Sequence, residues 1–321
     1  MSSGPAFGAY HDPSAEQPVC PRHPDRVAYV RCQRCNRPVC GDCQRSSQVG
    51  VLCVDCVRAH QQALPREQRA PKFRDRHGNP IPIATRSIIG LTVLVYVLQW
   101  AGQLIPGFPP IDQWLMYSPL HTSQVALEMQ SATGQLLFQP WRMLTAALVH
   151  SMGSPLHLLL NMAVLWMIGR QIEPFLGAAK FVAIYVLSTL GGSVAVLFLA
   201  EPNSAVVGAS GAVYGLFATL WMIGRRLGAD TRGITVLIII NFAFSFMGAN
   251  ISWQGHLGGF ITGLLASVPA LLTYQKRADG PQARRRANRY TWFGFVVVAL
   301  LLIVLTIIGA LLLDSSTVLG R

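Results

Sequence analysis

The chain has 321 residues, of which 51% are hydrophobic and only 12% charged, and its mean hydropathy is +0.39. This composition excludes a disordered chain and argues against a purely soluble protein, because so few polar side chains would not cover so large an apolar core. The net charge of +12 indicates an anionic partner, either nucleic acid or an acidic membrane surface, depending on where the basic residues lie.

The chain divides by composition into four segments. Residues 1–19 are rich in Pro, Ser, Gly and Ala without an apolar run, so they do not match a secretory signal peptide, and we predict a disordered tail. Residues 20–60 contain every cysteine and are predicted to form a zinc finger. Residues 61–86 combine four prolines with many basic side chains, as a linker does, and residues 87–313 form the predicted membrane domain.

Four short metal-ligand pairs, each with two residues between its members, dominate the cysteine-rich segment. Eight such ligands suffice for two tetrahedral zinc sites. Interleaved pairs commonly bind in a cross-brace, the first pair with the third and the second with the fourth. A sequential pairing and a ligand role for His60 remain open. The eight predicted ligands are Cys20, His23, Cys32, Cys35, Cys40, Cys43, Cys53 and Cys56.

A disulfide framework is the alternative for these cysteines, but their number is odd and their predicted location is cytoplasmic, where thiols stay reduced. A block of about 40 residues with few large apolar side chains needs metal to fold, so we expect the zinc to be structural. Residues 20–60 resemble B-box-like zinc fingers, which implies a cytoplasmic protein partner. No helix carries a base-reading pattern, so nucleic acid is not expected.

Seven apolar stretches follow residue 86, separated by short polar or Gly/Pro segments. Several reach the roughly 20 residues that a hydrocarbon core of about 30 Å requires, while the second, fourth and fifth are shorter. One short stretch alone fits a buried soluble helix, but seven in series predict an all-α polytopic membrane domain. They lie at about 87–105, 155–169, 180–200, 210–224, 234–247, 256–274 and 291–313.

Basic side chains collect at alternate connections between these stretches, which the positive-inside rule places on the cytoplasmic side. The other connections contain almost none except Arg142. We therefore predict a cytoplasmic N-terminus and an extracellular C-terminus. The excess of arginine over lysine indicates a GC-rich bacterium, and hence a plasma membrane. The basic residues on the cytoplasmic side would contact its anionic lipids. The basic residues are Arg66, Arg69, Lys72, Arg74, Arg76, Arg86, Arg170, Lys180, Arg225, Arg226, Arg232, Lys276, Arg277, Arg284, Arg285, Arg286 and Arg289.

Two residues that could take part in catalysis lie at the start of the fourth and sixth stretches. Ser210 lies in a Gly-x-Ser-Gly sequence, whose small residues let a substrate or another backbone come close. Such a motif alone is also ordinary helix-packing surface in membranes. His256 is a candidate functional residue because ionisable groups are costly in a bilayer, although a histidine can also be hydrogen-bonded in a helix interface.

Small residues spaced four apart in the same two stretches predict that they pack closely. These residues are Gly211 with Gly215 and Gly259 with Gly263. Such packing would bring Ser210 within reach of His256.

The second stretch sets His157 and Asn161 four residues apart, so both side chains lie on one helical face. At 1.5 Å per residue, His157 lies about 20 Å beyond Arg170, and Ser210 lies about 22 Å beyond Arg225. The two side chains are therefore predicted at similar depth. His157, Asn161 and the Ser210 N–H are available donors for an oxyanion.

Taken together, these motifs resemble the rhomboid family of intramembrane serine proteases. The resemblance covers about residues 86–313 and implies a six-helix core followed by one C-terminal transmembrane helix. It implies that Ser210 is the nucleophile and His256 the general base of a dyad. The residues that carry it are Gly208, Ser210, Gly211, Tyr214, His256, Gly259, Gly263, His157, Asn161, Trp141 and Arg142.

The resemblance also assigns supporting roles. Tyr214, one turn after the serine, would pack against the imidazole ring of His256. Glu173 matches a position that the family uses for helix packing, and Trp141 and Arg142 are expected to be structural, at the end of a 106–140 loop along the outer leaflet. The family has a histidine five residues before the oxyanion histidine, whereas His150 precedes His157 by seven, which puts its role in doubt.

The leading hypothesis is therefore an intramembrane endopeptidase that cuts transmembrane proteins near the outer membrane face. The resemblance implies a preference for small residues at the cut. The alternative is a non-catalytic membrane adaptor whose zinc finger binds a cytoplasmic protein. A transporter lacks support because no polar pathway crosses the stretches.

Overall fold

The computed structural model describes residues 17–47, 50–63, 80–247, 251–272, 274 and 281–313. The chain divides into two compact units, with the boundary between Pro80 and Ile81. Residues 1–16 of the predicted tail and most of the predicted linker lie outside the described residues, as do Lys276, Arg277 and the side chain of His60. Val19, the last residue of the predicted tail, instead lies in a β-strand.

The N-terminal unit is built from two antiparallel hairpins and one helix. Strand β1 pairs with β2, and β3 pairs with β4 in a register that places Gln44 opposite Cys53. The buried side chains are mainly the cysteines, joined by Ala28 and Val39. A core of this kind has little apolar area to hold it together without metal. The elements are β1 (Val19–Cys20), β2 (His23–Val27), a 3-10 turn (Gly41–Cys43), β3 (Gln44–Ser47), β4 (Gly50–Cys53) and α1 (Val54–Ala63).

The second unit is helical, and seven of its helices coincide with the seven predicted stretches. These seven are α2 and α6–α11, while α3–α5 are short. The bounds are α2 (Ile83–Leu104), α3 (Ile111–Leu115), α4 (Gln124–Thr133), α5 (Arg142–Thr145), α6 (Pro155–Leu176), α7 (Ala178–Leu199), α8 (Ser210–Arg226), α9 (Arg232–Met247), α10 (Trp253–Leu272) and α11 (Pro281–Leu312).

The described helices confirm a multi-pass membrane protein. Four of them, α2, α7, α10 and α11, are long and apolar enough to cross a bilayer, and α9 is a shorter apolar helix. Helix α8 has only 17 residues, and α6 carries His157, Asn161 and Arg170, which lower its hydropathy. Predicted site residues lie on these two helices and also on the apolar helix α10, which carries His256.

Two predicted connections are parts of helices instead. Arg170 and Lys180 lie inside α6 and α7, and only Gly177, with a φ of +89°, separates these helices. Helix α6 continues past its apolar stretch because Glu173 caps α2: its carboxylate accepts the Ala84 and Thr85 N–H groups at 2.9 and 2.8 Å. Likewise, α11 begins ten residues before the predicted span, so the arginines at 284–289 lie in its first turns.

Helices α7, α8 and α10 pack against one another in the centre of this unit. The glycines predicted to bring spans four and six together do so. A Cβ on Gly259 would overlap the carbonyl oxygen of Gly211, and one on Gly263 would overlap that of Gly215. Gly192 of α7 joins the same contact, since a Cβ there would lie 2.8 Å from Gly255 O.

The 106–140 segment, expected as a loop, contains α3, α4 and a 3-10 turn over Pro119–Thr122. Its buried Tyr117 exchanges backbone hydrogen bonds with Val206, N to O at 3.2 Å and O to N at 2.7 Å. Arg142 is buried, as a structural role requires, and donates to the carbonyl oxygens of Gln113 and Met116. The segment is therefore fixed against the chain that leads into Ser210.

Candidate active site

Ser210 is the first residue of α8, and the backbone before it makes a sharp turn. Gly208 has a φ of +116°, a conformation that glycine adopts without strain. Its N–H donates to Ala146 O at 2.9 Å, which ties the turn to the end of α5. The serine hydroxyl is therefore presented at a helix N-terminus, where backbone N–H groups lack helical partners.

An open cavity of about 50 Å³ lies beside Ser210. Its walls come from α7, α8, α10 and the segment that follows α5. Small side chains predominate in these walls, among them Ala146, Ala147, Gly192 and Gly255. The cavity thus offers Ser210 a site for a small side chain.

The imidazole of His157 lies against the turn before Ser210. A Cβ on Gly208 would be 2.9 Å from His157 Cε1 and 3.0 Å from Nε2. The Ser151 N–H points at His157 Nδ1 at 3.3 Å, so Nδ1 is the acceptor and the proton is assigned to Nε2. His157 therefore aims an N–H donor at the approach to Ser210.

Asn161 lies one turn further along α6 and is buried. Its amide nitrogen donates to His157 O at 2.8 Å, which fixes the side chain against its own helix. One amide hydrogen remains for another acceptor.

His150 stays at the site despite the two additional residues before His157. Its ring is buried and lies 5.2 Å from the His157 ring, and its Nε2 accepts the Ala209 N–H at 3.4 Å. The side-chain amide of Gln99 makes two hydrogen bonds with the backbone of His150: it donates to His150 O at 2.9 Å and accepts from His150 N at 3.0 Å. The additional residues form the turn that supplies the Ser151 N–H to His157.

His256 is buried at the start of α10, and Tyr214 packs on it as the family resemblance implies. The two rings are stacked at 4.2 Å with an interplanar angle of 13°. Among the described residues no hydrogen bond joins His256 to Ser210. Their helices meet at Gly211, where an added Cβ would lie 3.2 Å from Gly255 O, directly before His256.

Two polar side chains at the site are absent from the sequence-based prediction. Ser245 of α9 hydrogen-bonds His256 Nδ1 at 2.6 Å, and Gln99 of α2 holds His150. An amide in the middle of an apolar stretch could have pointed to Gln99. Ser245 gave no such signal, because a serine in a transmembrane helix usually bonds its own backbone.

The eight predicted metal ligands form two clusters, grouped as the cross-brace pairing predicts. In each cluster all ligand atoms lie within 4.8 Å of one another. His23 Nδ1 is 3.2 Å from Cys40 Sγ, and Cys35 Sγ is 3.7 Å from Cys53 Sγ. The ligand atoms of a tetrahedral zinc site lie about 3.5–3.8 Å apart, so the clusters are compatible with zinc. The clusters are Cys20, His23, Cys40, Cys43 and Cys32, Cys35, Cys53, Cys56.

The thiols of the first cluster differ in acidity. Backbone hydrogen bonds, above all one from Cys40, lower the pKa of Cys20 to about 6, whereas burial and the neighbouring thiols raise the pKa of Cys43 to about 11. Crowded thiolates resist ionising together, and a divalent cation relieves that repulsion. The donor set therefore suits a cation that binds deprotonated sulfur.

Both units match known families. Residues 137–272 match the Rhomboid domain, and residues 15–49 match the B-box zinc finger. The B-box match ends before Cys53 and Cys56, so the second cluster extends beyond it.

Curated relatives of the chain include proteins from bacteria and a plant. Rhomboid protease GluP of Bacillus subtilis (strain 168) is 36% identical over 133 residues, which cover 40% of this chain and 25% of the relative. RHOMBOID-like protein 2 of Arabidopsis thaliana is 31% identical over 214 residues, 62% and 65% of the two chains. Rhomboid protease GlpG of Yersinia pestis (strain Pestoides F) is 30% identical over 190 residues, 56% and 60%. This chain thus spans less than two thirds of each relative.

Proposed function

Because the chain contains a rhomboid domain preceded by a B-box zinc finger, we propose that it is an intramembrane serine endopeptidase that hydrolyses peptide bonds of transmembrane proteins. One observation carries the proposal above all: a serine at a helix N-terminus borders a cavity of small residues, with one half-buried histidine aimed at its turn and a buried one on the neighbouring helix. Nucleophile, donor and base are thus available in one place.

The proposed reaction begins with attack of Ser210 Oγ on the carbonyl carbon of the scissile peptide. His256 Nε2 accepts the hydroxyl proton, since Nδ1 is occupied by Ser245. Apo enzymes often hold such pairs beyond hydrogen-bond distance, and bound substrate brings them together. His256 then protonates the leaving amine, and water hydrolyses the acyl-enzyme by the reverse sequence.

The negative charge on the tetrahedral intermediate requires donors. His157 Nε2–H, the free amide hydrogen of Asn161 and the Ser210 N–H are the proposed oxyanion donors. Gly208 and Gly211 support them: the first leaves room for His157, and the second lets α8 approach α10.

The cavity and the relatives support a class of substrate. The cavity beside Ser210, with alanine and glycine prominent in its walls, leaves room for a small side chain at the cut. The relatives named as rhomboid proteases support proteolysis by this domain. We therefore propose transmembrane proteins with small residues at the cleavage position as substrates.

We propose further that the N-terminus is cytoplasmic, the C-terminus extracellular and the membrane a bacterial plasma membrane, on the charge distribution described above. In this orientation Ser210 lies in the outer half of the bilayer. A B-box is compatible with protein contacts, so the zinc-finger unit is proposed to bind a cytoplasmic protein.

Reconstitution with a single-span reporter protein tests the proposal. We expect wild type to cleave the reporter and to bind a fluorophosphonate probe covalently at Ser210, while Ser210→Ala and His256→Ala do neither. Equal cleavage by wild type and Ser210→Ala would refute the proposal. A wild type that binds the reporter without cleaving it or reacting with the probe would favour the adaptor function.

A further inference from the structure

Ser245 of α9 contacts the ring nitrogen of His256 that the proposed reaction leaves unused. Its Oγ lies 2.6 Å from His256 Nδ1, and its side chain is buried. We propose that Ser245 is a positioning residue: its hydroxyl accepts the Nδ1–H hydrogen bond and holds His256 in the tautomer whose Nε2 is free to take the Ser210 proton. This inference rests on the proposed function.

The hydroxyl has one proton, and the surrounding atoms determine where it goes. Asn241 O, one turn earlier in α9, lies 2.9 Å from Ser245 Oγ and can only accept. If the Ser245 proton points there, both lone pairs of Oγ are available. The Nδ1–H of His256 and the hydroxyl of Tyr214, 3.0 Å away, then each donate to one of them. Every proton in this arrangement has an acceptor.

The opposite assignment satisfies fewer groups. If Ser245 donated to Nδ1, the proton of His256 would reside on Nε2, and that nitrogen would be unable to act as a base toward Ser210. Asn241 O would also lose the hydroxyl donor. The tautomer required by the proposed reaction is thus the one that uses all three contacts of Ser245.

Two contacts together define the orientation of the imidazole. The stacked ring of Tyr214 restricts tilting of the ring plane, and the Ser245 hydrogen bond restricts rotation within it. In serine protease triads, a buried carboxylate performs the second task. A neutral hydroxyl costs far less to bury in a membrane, and no described carboxylate hydrogen-bonds His256.

Few residues of helix α9 are buried against the rest of the helical unit. Of its sixteen residues, only Ile238 and Ser245 are fully buried. The tautomer of His256 therefore depends on the placement of a loosely packed helix.

A pair of variants with equal shape isolates the hydroxyl. Ser245→Thr retains it, and Ser245→Val replaces it with a methyl group. Thr235→Val is the control: the Thr235 hydroxyl also links α9 to α8, through Trp221 Nε1 at 3.1 Å, but belongs to another turn of α9. A purely structural role would affect Ser245→Val and Thr235→Val alike.

The first measurement is the cleavage of the single-span reporter, with kcat and KM determined separately. We expect Ser245→Val to lower kcat by about 10- to 100-fold, with KM within about threefold of wild type. Ser245→Thr should retain at least about a third of kcat, and Thr235→Val should resemble wild type. Equal kcat for the Thr and Val variants of Ser245 would overturn the proposal.

The second measurement does not require activity. Imidazole nitrogen NMR of ¹⁵N-histidine protein, with the His256 signals assigned by His256→Ala, reports the tautomer directly. We expect a protonated Nδ1 in wild type and Ser245→Thr, and a mixture in Ser245→Val. Identical spectra for all three would overturn the inference. A wild type without cleavage or probe labelling but with these spectra would instead refute only the proposed function.

Discussion

Backbone groups hold the polar side chains around Ser210 in place. Asn161 donates to His157 O, His157 accepts from Ser151 N, and His150 accepts from Ala209 N. Inside a membrane domain such bonds compensate the cost of burying polar atoms. They also leave the Nε2–H of His157 and one amide hydrogen of Asn161 free to donate to a substrate.

The first prediction concerns the free amide hydrogen of Asn161. Asn161→Ala should lower kcat for reporter cleavage by about 100-fold, because one oxyanion donor is lost. Asn241→Ala is a matched control, since Asn241 makes the same 2.8 Å contact with the carbonyl oxygen four residues earlier, on α9. Cleavage by this control should stay within about twofold of wild type. Equal losses in both variants would contradict the oxyanion role.

The second prediction concerns Gly208. Gly208→Ala should abolish probe labelling of Ser210, because the new Cβ meets the His157 ring and the φ of +116° disfavours alanine. Gly228→Ala is the control: its φ is +69°, but no atom lies near an added Cβ. The control should lose about 1 kcal/mol of stability and keep its labelling. Normal probe labelling of Gly208→Ala would contradict the placement of His157 beside the turn that leads into Ser210.

At the residue scale, side-chain chemistry was enough to single out most of the candidate site residues in the sequence. His157, Asn161 and His256 stand out because polar groups are rare in the apolar stretches. Ser245 does not, because its role depends on the meeting of α9 and α10, which no spacing within one helix reveals. His150 was in doubt for a related reason: its distance from His157 along the chain does not show how the intervening turn folds.

At the scale of elements, the ends of α2 and α6 stabilise each other. The Glu173 carboxylate accepts the Ala84 and Thr85 N–H groups and the Thr85 hydroxyl, the last at 2.8 Å. Backbone N–H groups at a helix start otherwise lack partners. This capping explains why α6 extends beyond its apolar residues to Leu176.

The third prediction concerns this cap. Glu173→Ala should reduce the free energy of unfolding by about 3 kcal/mol, since it leaves three donors unsatisfied, two of them buried. Gln171→Ala, two residues away, removes only an exposed side chain and should change stability by less than about 0.5 kcal/mol. Thermal unfolding in detergent micelles measures both. A Glu173→Ala protein as stable as the control would rule out the cap.

At the scale of the molecule, the architecture followed from patterns that repeat along the chain. Seven apolar stretches and four ligand pairs were recognisable because each pattern depends on neighbours in sequence. Helix ends were less predictable: the contact of Glu173 with α2 spans almost 90 residues, and the charge of Arg170 suggested a loop where α6 continues.

The fourth prediction concerns the zinc-finger unit of the complete chain. The purified protein should contain about two zinc ions, one for each cluster, by elemental analysis. Cys40→Ser and Cys53→Ser should each lower the content to about one, and the double variant to about zero. Exhaustive chelation should expose residues 17–63 to trypsin, which zinc should reverse. A protein that binds no zinc yet resists trypsin there would contradict a metal-dependent fold.

The core of the N-terminal unit consists largely of its predicted zinc ligands. Its folding should therefore depend on the availability of zinc. For a site that binds metal only in the folded state, each tenfold fall in free zinc removes about 1.4 kcal/mol of stability. Two such sites double that sensitivity. At constant temperature, the folded fraction of this unit would then follow the free zinc concentration around it.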